Sequence, residues 1–122
     1  MTGGQMAPTT LPGQVTSTCP FGRDTQATGM PIRIVELLST LATPSYLERV
    51  AVHSPAHIVR AKQAIKKAFT YQKEGRCFSL VEVLSTCPTN WGNTPTEATQ
   101  WLDTNLKAFF PIGVYKQPED AK

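Results

Sequence analysis

The segment that decides the fold extends from residue 46 to residue 84 and reads YLERVAVHSPAHIVRAKQAIKKAFTYQKEGRCFSLVEVL. Its beginning, 46–52, predicts a short strand, and its end, 78–84, predicts a second, buried strand. Between them, Ser54 followed by Pro55 is typical of a helix start, and Gly75 is typical of a helix end. This order predicts two parallel strands joined by a helix that packs across them.

Two further helices flank this unit. Apolar residues at helical spacing after Pro31 predict a helix over 31–41. The residues Thr94-Pro95-Thr96-Glu97 form a capping box that predicts a last helix, which Pro111 ends. The element order is therefore helix, strand, helix, strand, helix, and the predicted fold class is α/β with a parallel sheet.

The central helix has an apolar face that we expect to pack on the sheet, made of Ile58, Ala61, Ile65, Ala68 and Phe69. Its basic residues lie largely off this face: Arg60, Lys62, Lys66, Lys67 and Lys73. We interpret them as a solvated face. The alternative is a docking surface for an acidic partner protein or another subunit.

The opening of the chain shows no periodicity and is rich in Gly, Pro, Thr and Gln. We therefore divide the chain into an irregular loop over 1–30, a partial α/β domain over 31–113 and a tail over 114–122. Two parallel strands do not make a stable sheet by themselves, so further strands are expected before Met1 or from a partner chain.

Bulk properties exclude several classes of protein. The chain has 122 residues, a formal charge of +3 and three cysteines. No apolar run approaches the roughly 20 residues of a membrane span, and no secretory signal is visible. The odd cysteine count favours free thiols in a reducing cytoplasm over a disulfide scaffold. The small charge and one lysine-bearing helix are weak support for nucleic-acid binding, so neither a nucleic-acid partner nor a membrane is predicted.

Two segments are placed to carry chemistry. Ligands of parallel α/β sheets bind beyond the carboxyl ends of the strands. Residues 85–92 follow the second strand directly, and the opening Met1-Thr2-Gly3-Gly4-Gln5 has glycines that let backbone approach a ligand. A flexible terminus or a vector-derived epitope tag would also explain the opening, although residues 6–10 differ from that tag.

The opening Met1-Thr2-Gly3-Gly4-Gln5-Met6-Ala7-Pro8-Thr9-Thr10 resembles a segment of the β subunits of 2-oxoacid:ferredoxin oxidoreductases, particularly the 2-oxoglutarate and branched-chain types. The resemblance continues at Pro20-Phe21-Gly22-Arg23-Asp24, at Tyr46-Leu47-Glu48-Arg49-Val50-Ala51 and at Leu84-Ser85-Thr86-Cys87-Pro88-Thr89-Asn90-Trp91-Gly92. It covers nearly the whole chain up to about Gly113.

The resemblance implies the C-terminal portion of a thiamine-diphosphate-binding domain in a complex that oxidatively decarboxylates a 2-oxoacid, with 2-oxoglutarate favoured over branched-chain acids. Thiamine diphosphate and Mg²⁺ supply the chemistry, [4Fe–4S] clusters carry electrons to ferredoxin, and coenzyme A takes the acyl group. The implied partner is the α subunit of the complex.

The family's Gly-Asp-Gly motif, which holds the diphosphate and Mg²⁺, does not occur in this sequence, and neither do its N-terminal cluster cysteines. We therefore expect the chain to be a piece of a longer subunit that is inactive alone. The alternative is an interaction module without cofactor, which keeps the subunit contacts of the fold. The coding DNA upstream of Met1 would distinguish the two.

The resemblance also implies roles for single residues. Met1 to Gln5 would line the substrate side of the thiamine site, although some relatives have a Lys at the position of Gly3 that contacts the substrate carboxylate. Arg23 is a candidate replacement for that Lys. Cys87 would be the fourth cysteine ligand of a [4Fe–4S] cluster, with a buried free thiol as the alternative. By contrast, Cys19 and Cys77 have no such context.

Overall fold

The computed structural model describes residues 8–118, which divide into two compact units. The first unit contains residues 8–33 and 86–110, and the second contains 34–85 and 111–118. The elements, in chain order, are α1 (Thr25–Thr28), α2 (Ile34–Ser39), β1 (Ser45–Ala51), α3 (Pro55–Lys73), β2 (Phe78–Leu84), α4 (Pro88–Trp91), α5 (Pro95–Trp101), a π-helical turn (Leu102–Leu106), α6 (Lys107–Phe109) and β3 (Gly113–Lys116). Within 8–118, no helix is long and apolar enough to cross a membrane.

The second unit is built on a sheet of three strands in the order β2-β1-β3. β1 and β2 are parallel, with Val50 opposite Val83, and the ladder continues where the Val52 amide donates to the Leu84 carbonyl at 3.2 Å. α3 connects the two strands, so the predicted strand–helix–strand unit is confirmed. The α/β class is confirmed as well, but the sheet is mixed because β3 is antiparallel to β1.

β3 corrects the prediction that a loose tail begins at residue 114. Residues 114–116 belong to this strand, which occupies the edge of β1 away from β2. With four residues the strand is too short to show a period in the sequence. Its placement depends on long-range contacts, such as the pairing of Val114 with Glu48, which no local pattern reveals.

α3 begins and ends as the sequence predicts. The Ser54 hydroxyl accepts the His57 amide proton at 3.4 Å, and Pro55 occupies the first turn. At the other end Gly75 takes a positive φ of 64°, while the Arg76 amide donates to the Tyr71 carbonyl at 3.0 Å. This pattern is a glycine-terminated helix end in which the last carbonyls find donors.

The predicted core face of α3 is wrong in part. The buried residues of the helix are Ala61, Ala64 and Tyr71. Ile58 and Ile65 are exposed, and Phe69 is 71% exposed. The three-stranded sheet contacts the alanine side of α3, where Ala61 and Ala64 pack with Val50, Val52 and Val81. The larger apolar side chains lie at the flank of that contact, beyond the area that the sheet covers.

β2 is not the fully buried strand that its apolar sequence predicts. Phe78 is 50% exposed and Val83 is 40% exposed, and Leu84 is the one buried residue of the strand. In the part of the chain that the structure describes, β2 lies at an edge of the sheet, so one side of its backbone ladder has no neighbour there. An apolar edge strand of this kind favours association.

α2 is shorter than the helix predicted over 31–41. It spans Ile34–Ser39, because the Ile32 amide donates to the Pro8 carbonyl at 2.9 Å instead of entering a helix. At the other end, the hydroxyls of Ser39 and Thr40 donate to the carbonyls of Glu36 and Leu37 at 2.7 and 2.8 Å. Such local bonds compete with the regular helical pattern and end it.

The last helix forms as predicted and includes one irregularity. The capping box between Thr94 and Glu97 is complete, and the helical path continues from Pro95 to Phe109. A π-helical turn interrupts it, marked by the Lys107 amide that donates to the Leu102 carbonyl. The buried side chains of this path are Ala98, Leu102 and Leu106.

A buried arginine connects four elements of the second unit. Arg49 lies in the middle of β1 with no exposed side-chain surface. Its guanidinium contacts Glu36 of α2, Glu82 of β2 and the Tyr115 hydroxyl of β3. Burial opposes the charged form, but the hydrogen bonds from both carboxylates outweigh it and raise the pKa of Arg49. The charge is therefore permanent, and it holds α2 and the three strands together.

Candidate functional site around Cys87

Cys87 lies three residues beyond the end of β2 in the sequence, where the chain enters the one-turn helix α4; residues 87–92 are called the Cys87 turn. Cys87 is half-buried and precedes α4 as its N-cap residue, and its side chain makes no capping hydrogen bond. Pro88 opens the four-residue helix, and Gly92 closes it with a left-handed φ of 69°. The predicted order of elements has no helix between the second strand and the last helix. The structure shows that the proline and the glycine frame a short helix that presents the thiol at its start.

The first unit begins with a folded loop over residues 8–30, called the front loop, which two glycines make possible. A Cβ atom added at Gly22 would lie 2.7 Å from the Gly13 carbonyl oxygen, so only glycine allows this approach. The loop is also closed by backbone bonds, with Gly13 donating to the Arg23 carbonyl at 2.9 Å and Arg23 donating to the Gln14 carbonyl at 3.1 Å.

Arg23 has a structural position in this loop. It is buried, and its guanidinium donates to the backbone carbonyls of Thr10 at 2.8 Å and Gly29 at 3.1 Å. The next residue, Asp24, accepts the Gln26 amide at 2.8 Å and caps α1. Arg23 therefore connects two ends of the front loop. A guanidinium that would bind a substrate carboxylate would instead direct its donors towards the substrate.

The front loop and the Cys87 turn meet within the first unit. The Ser17 amide donates to the Asn90 carbonyl at 2.8 Å, and the Ser17 hydroxyl donates to Asn90 Oδ1 at 2.5 Å. Beside this contact, Trp91 packs on Trp101, with ring centroids 4.8 Å apart. A cavity of about 270 Å³ lies along the contact, lined by Val15, Thr16, Ser17, Pro20, Thr89, Asn90, Trp91 and Gly92.

The three cysteines differ in their surroundings. The Cys19 thiol donates to the Gly22 carbonyl at 3.1 Å and belongs to the front loop. Cys77 stands immediately before β2, where the Gln72 side chain binds its carbonyl at 2.9 Å. All three are half-buried free thiols. Cys87 is the one that stands directly before a short helix, at the N-cap position of α4 and three residues after β2 in the sequence.

The donor set around Cys87 limits what this region can bind by itself. Among residues 8–118, no three His, Cys, Asp or Glu side chains gather where they could hold a metal ion together. A [4Fe–4S] cluster takes four cysteine thiolates. Cys87 fits as one soft ligand of such a cluster, and the other three would have to come from outside the described residues. The other predicted site segment, Met1 to Gln5, also lies outside them.

The two histidines stand at the start of α3, in the second unit. The His53 and His57 rings pack at a tilt of 38° with their centroids 4.0 Å apart, and the Ser54 hydroxyl lies 2.7 Å from His57 Nδ1. Both histidines therefore belong to the contacts at the start of α3.

Tyr46 is another titratable residue of the second unit. Burial and then the hydrogen bond to Glu48 raise the pKa of Tyr46, so its phenol stays neutral.

Sequence reasoning missed the contact between Ser17 and Asn90 and the packing of Trp91 on Trp101. The two members of the first pair are 73 residues apart, so no local pattern joins them. A signal did exist for Arg49, since it lies with Glu48 in a strand whose other residues are mostly apolar, and a charged side chain that is buried there needs a partner of opposite charge.

The chain is similar to known oxidoreductase subunits. It is 47% identical over 112 residues to the ketoisovalerate oxidoreductase subunit VorA of Methanothermobacter thermautotrophicus, which covers 92% of this chain and 24% of that protein. It is 34% identical over 107 residues to the 2-oxoglutarate synthase subunit KorB of Archaeoglobus fulgidus, which covers 88% of this chain and 36% of that protein. No family model and no solved structure matches the chain.

The chain thus spans about a quarter of the first relative and about a third of the second. The similarity extends over nearly all of this chain, so it includes the front loop and the Cys87 turn. Both relatives are subunits of enzymes that act on 2-oxoacids. Over the segment that it shares with them, the chain is homologous to subunits of 2-oxoacid:ferredoxin oxidoreductases.

Proposed function

We propose that this chain is part of the thiamine-diphosphate-binding β subunit of a 2-oxoacid:ferredoxin oxidoreductase, and that it works only in the assembled complex. The proposed reaction is oxidative decarboxylation of a 2-oxoacid to an acyl-CoA. The observation that carries the proposal is the Cys87 turn, with a half-buried thiol at the start of α4, in a chain that is similar to 2-oxoacid oxidoreductase subunits over 92% of its length.

Cys87 is the residue that would hold the iron–sulfur cluster. A thiolate suits iron, and the sulfur here is not committed to capping α4. The cluster, when bound, would supply one-electron transfer. What the protein contributes is position and shielding, because the half-buried Trp91 and Trp101 place indole surface beside the turn and keep water from that side.

The thiamine side of the site is proposed from the resemblance alone. Met1 to Gln5 would follow the metal-binding segment and face the substrate. Thiamine diphosphate and Mg²⁺ need the Gly-Asp-Gly carboxylate, which this sequence does not contain. We infer that the complete cofactor site uses residues of the longer subunit.

The substrate is proposed to be a 2-oxoacid of the branched-chain type. The support is the difference in identity: 47% to the subunit named for ketoisovalerate against 34% to the one named for 2-oxoglutarate. The motifs in the sequence favour 2-oxoglutarate, so this acid is the competing substrate. A substrate pocket that selects one of these acids must distinguish the second carboxylate of 2-oxoglutarate from a branched alkyl group. A buried polar or charged side chain in the pocket discriminates strongly between two such substrates.

The proposed partners are the α subunit, ferredoxin and coenzyme A, in the cytoplasm. Exposed apolar side chains support a subunit contact. Phe69 of α3 and Val83 of β2 expose apolar surface that a partner subunit would cover. The basic residues of α3 would favour an acidic partner surface beside them. Three free thiols fit a reducing compartment.

The test is reconstitution. The longer subunit that contains this segment is co-expressed with the α subunit, and thiamine-dependent reduction of a viologen dye is measured with 2-oxoisovalerate, 2-oxoglutarate and pyruvate. We expect turnover that requires coenzyme A and is fastest with 2-oxoisovalerate. An assembled complex that reduces no dye with any 2-oxoacid would contradict the proposal and favour the interaction module without cofactor.

A further inference from the structure

The contact between Ser17 and Asn90 is the starting observation. It consists of a backbone bond, from the Ser17 amide to the Asn90 carbonyl at 2.8 Å, and a side-chain bond, from the Ser17 hydroxyl to Asn90 Oδ1 at 2.5 Å. Both bonds join the front loop to α4, across 73 residues of sequence. A double contact of this kind fixes both the distance and the orientation of the two segments.

α4 depends on such a contact, because it is too short to be stable alone. It has four residues, and a helix of this length is unfavourable without tertiary support. Its own bonds link the Trp91 amide to the Cys87 carbonyl and the Asn93 amide to the Pro88 carbonyl, both at 3.0 Å. These bonds make the turn a unit, so whatever holds Asn90 also holds the Cys87 backbone.

The front loop is the firm partner in this contact. Ser17 follows Thr16, which exchanges two backbone bonds with Cys19 at 3.2 and 3.0 Å. The loop is closed further by the approach of Gly22 to Gly13 and by the buried Arg23. The contact therefore connects a turn of low intrinsic stability to a loop with many internal bonds, and the loop sets the position of the turn.

We propose that Ser17 and Asn90 are positioning residues, which form a latch that holds the Cys87 thiol in place for the cluster. The latch acts through the backbone of α4 and does not touch the sulfur. The inference rests on the proposed function only for the identity of the group that Cys87 would bind, the iron–sulfur cluster. That the latch orders the thiol follows from the contacts themselves, and it can be tested without any cofactor.

The first experiment uses this chain and measures the alkylation rate of each cysteine by N-ethylmaleimide, resolved by peptide mass spectrometry. We expect Ser17→Ala and Asn90→Ala to raise the Cys87 rate about fivefold, as the loss of one ordinary side-chain hydrogen bond would. Ser17→Thr, which keeps the hydroxyl, should restore the normal rate. The matched control is Thr89→Ala, which removes an exposed hydroxyl from the same turn and should leave the rate unchanged.

The second experiment places the same substitutions in the longer subunit within its complex. The measurements are iron content, the rate of iron loss to a chelator, and the paramagnetic resonance spectrum of the reduced cluster. We expect faster iron loss and an altered spectrum in Ser17→Ala and Asn90→Ala, again restored by Ser17→Thr.

The outcomes separate the two proposals. If Cys87→Ser leaves the cluster intact, the ligand assignment fails, whatever the latch does. If Cys87→Ser damages the cluster while Ser17→Ala and Asn90→Ala change neither iron loss, spectrum nor thiol alkylation, the latch is overturned and the proposed function stands. A rate increase that Thr89→Ala reproduces would also overturn the latch, since it would show that any change in the turn has this effect.

Discussion

The guanidinium of Arg49 meets both carboxylate oxygens of Glu36, with Nη1 2.9 Å from Oε1 and Nη2 2.5 Å from Oε2. Its Nε lies 2.6 Å from Glu82, the residue directly opposite on β2. Because the arginine is fully buried, removing it would leave two carboxylates without their partner. We predict that Arg49→Ala lowers the free energy of unfolding by about 3–5 kcal/mol, measured by urea denaturation.

The matched control for Arg49 is Arg76→Ala. Arg76 pairs with Glu74 at 3.7 Å, and both side chains are partly exposed. Water screens such a pair, so its loss should cost less than about 1 kcal/mol. An Arg49→Ala chain as stable as the Arg76→Ala chain would show that the buried network does not hold the second unit together.

A second prediction concerns acid. Hydrogen bonds from the Thr94 amide and hydroxyl, at 2.8 and 2.7 Å, lower the pKa of the Glu97 carboxyl. The ionised form is thus favoured in the folded state. Its stabilising effect should be complete above the ordinary Glu pKa of 4.5 and should disappear as the pH falls through the lower folded value. The urea midpoint measured against pH should show this loss in the wild-type chain.

The variant for this second prediction is Glu97→Gln, which should remove this part of the acid dependence. Glu74→Gln is the control, because its carboxylate contacts Arg76 at 3.7 Å and does not cap a helix. Equal acid dependence in the wild type and in Glu97→Gln would contradict the role given to the capping box.

A third prediction is that the isolated chain associates. Phe69 is 71% exposed on α3, and the edge strand β2 exposes Phe78 and Val83. Phe69→Glu should reduce association, measured by light scattering over a range of concentrations. Gln63→Glu adds the same charge at an exposed polar position of α3 and should have a much smaller effect. A wild-type chain that remains monomeric at high concentration would contradict the argument that further strands or a partner chain normally cover these apolar surfaces.

A fourth prediction is that the isolated chain does not bind thiamine diphosphate or Mg²⁺ tightly. The sequence has no Gly-Asp-Gly motif, and a hard cation needs carboxylate ligands in a defined arrangement. Titration calorimetry should therefore detect no strong binding of either. Micromolar, Mg²⁺-dependent binding of thiamine diphosphate to this chain alone would show that the site has another basis.

The sequence predicted the elements with strong local signals and missed those fixed by distant contacts. Ser54-Pro55 and Gly75 placed the ends of α3 correctly, because capping depends on neighbouring residues. β3 and the exposed side of α3 were not predicted, since both depend on which segments meet in space. A period of apolar residues shows which face of a helix is apolar, but it does not show how wide a sheet covers that face.

The site divides in the same way. The ligand role of Cys87 comes from its motif and stays a prediction, and the structure adds that this residue is the N-cap of the short helix between Pro88 and Gly92. The contact of Ser17 with Asn90 was invisible, because serine and asparagine are common in loops and carry no signal of a partner 73 residues away. Arg23 was considered for a substrate role from its charge, whereas its bonds to Thr10 and Gly29 show that it holds the front loop.

The most direct test of the account is Cys87→Ser in the reconstituted complex, with Cys19→Ser and Cys77→Ser as matched controls. Serine is a poor substitute for a soft thiolate on iron, so we predict lower iron content and an altered paramagnetic resonance signal of the dithionite-reduced cluster, together with slower ferredoxin reduction. Both controls should behave as the wild type. Full iron content, an unchanged spectrum and normal turnover in Cys87→Ser would contradict the account and leave Cys87 as a half-buried free thiol.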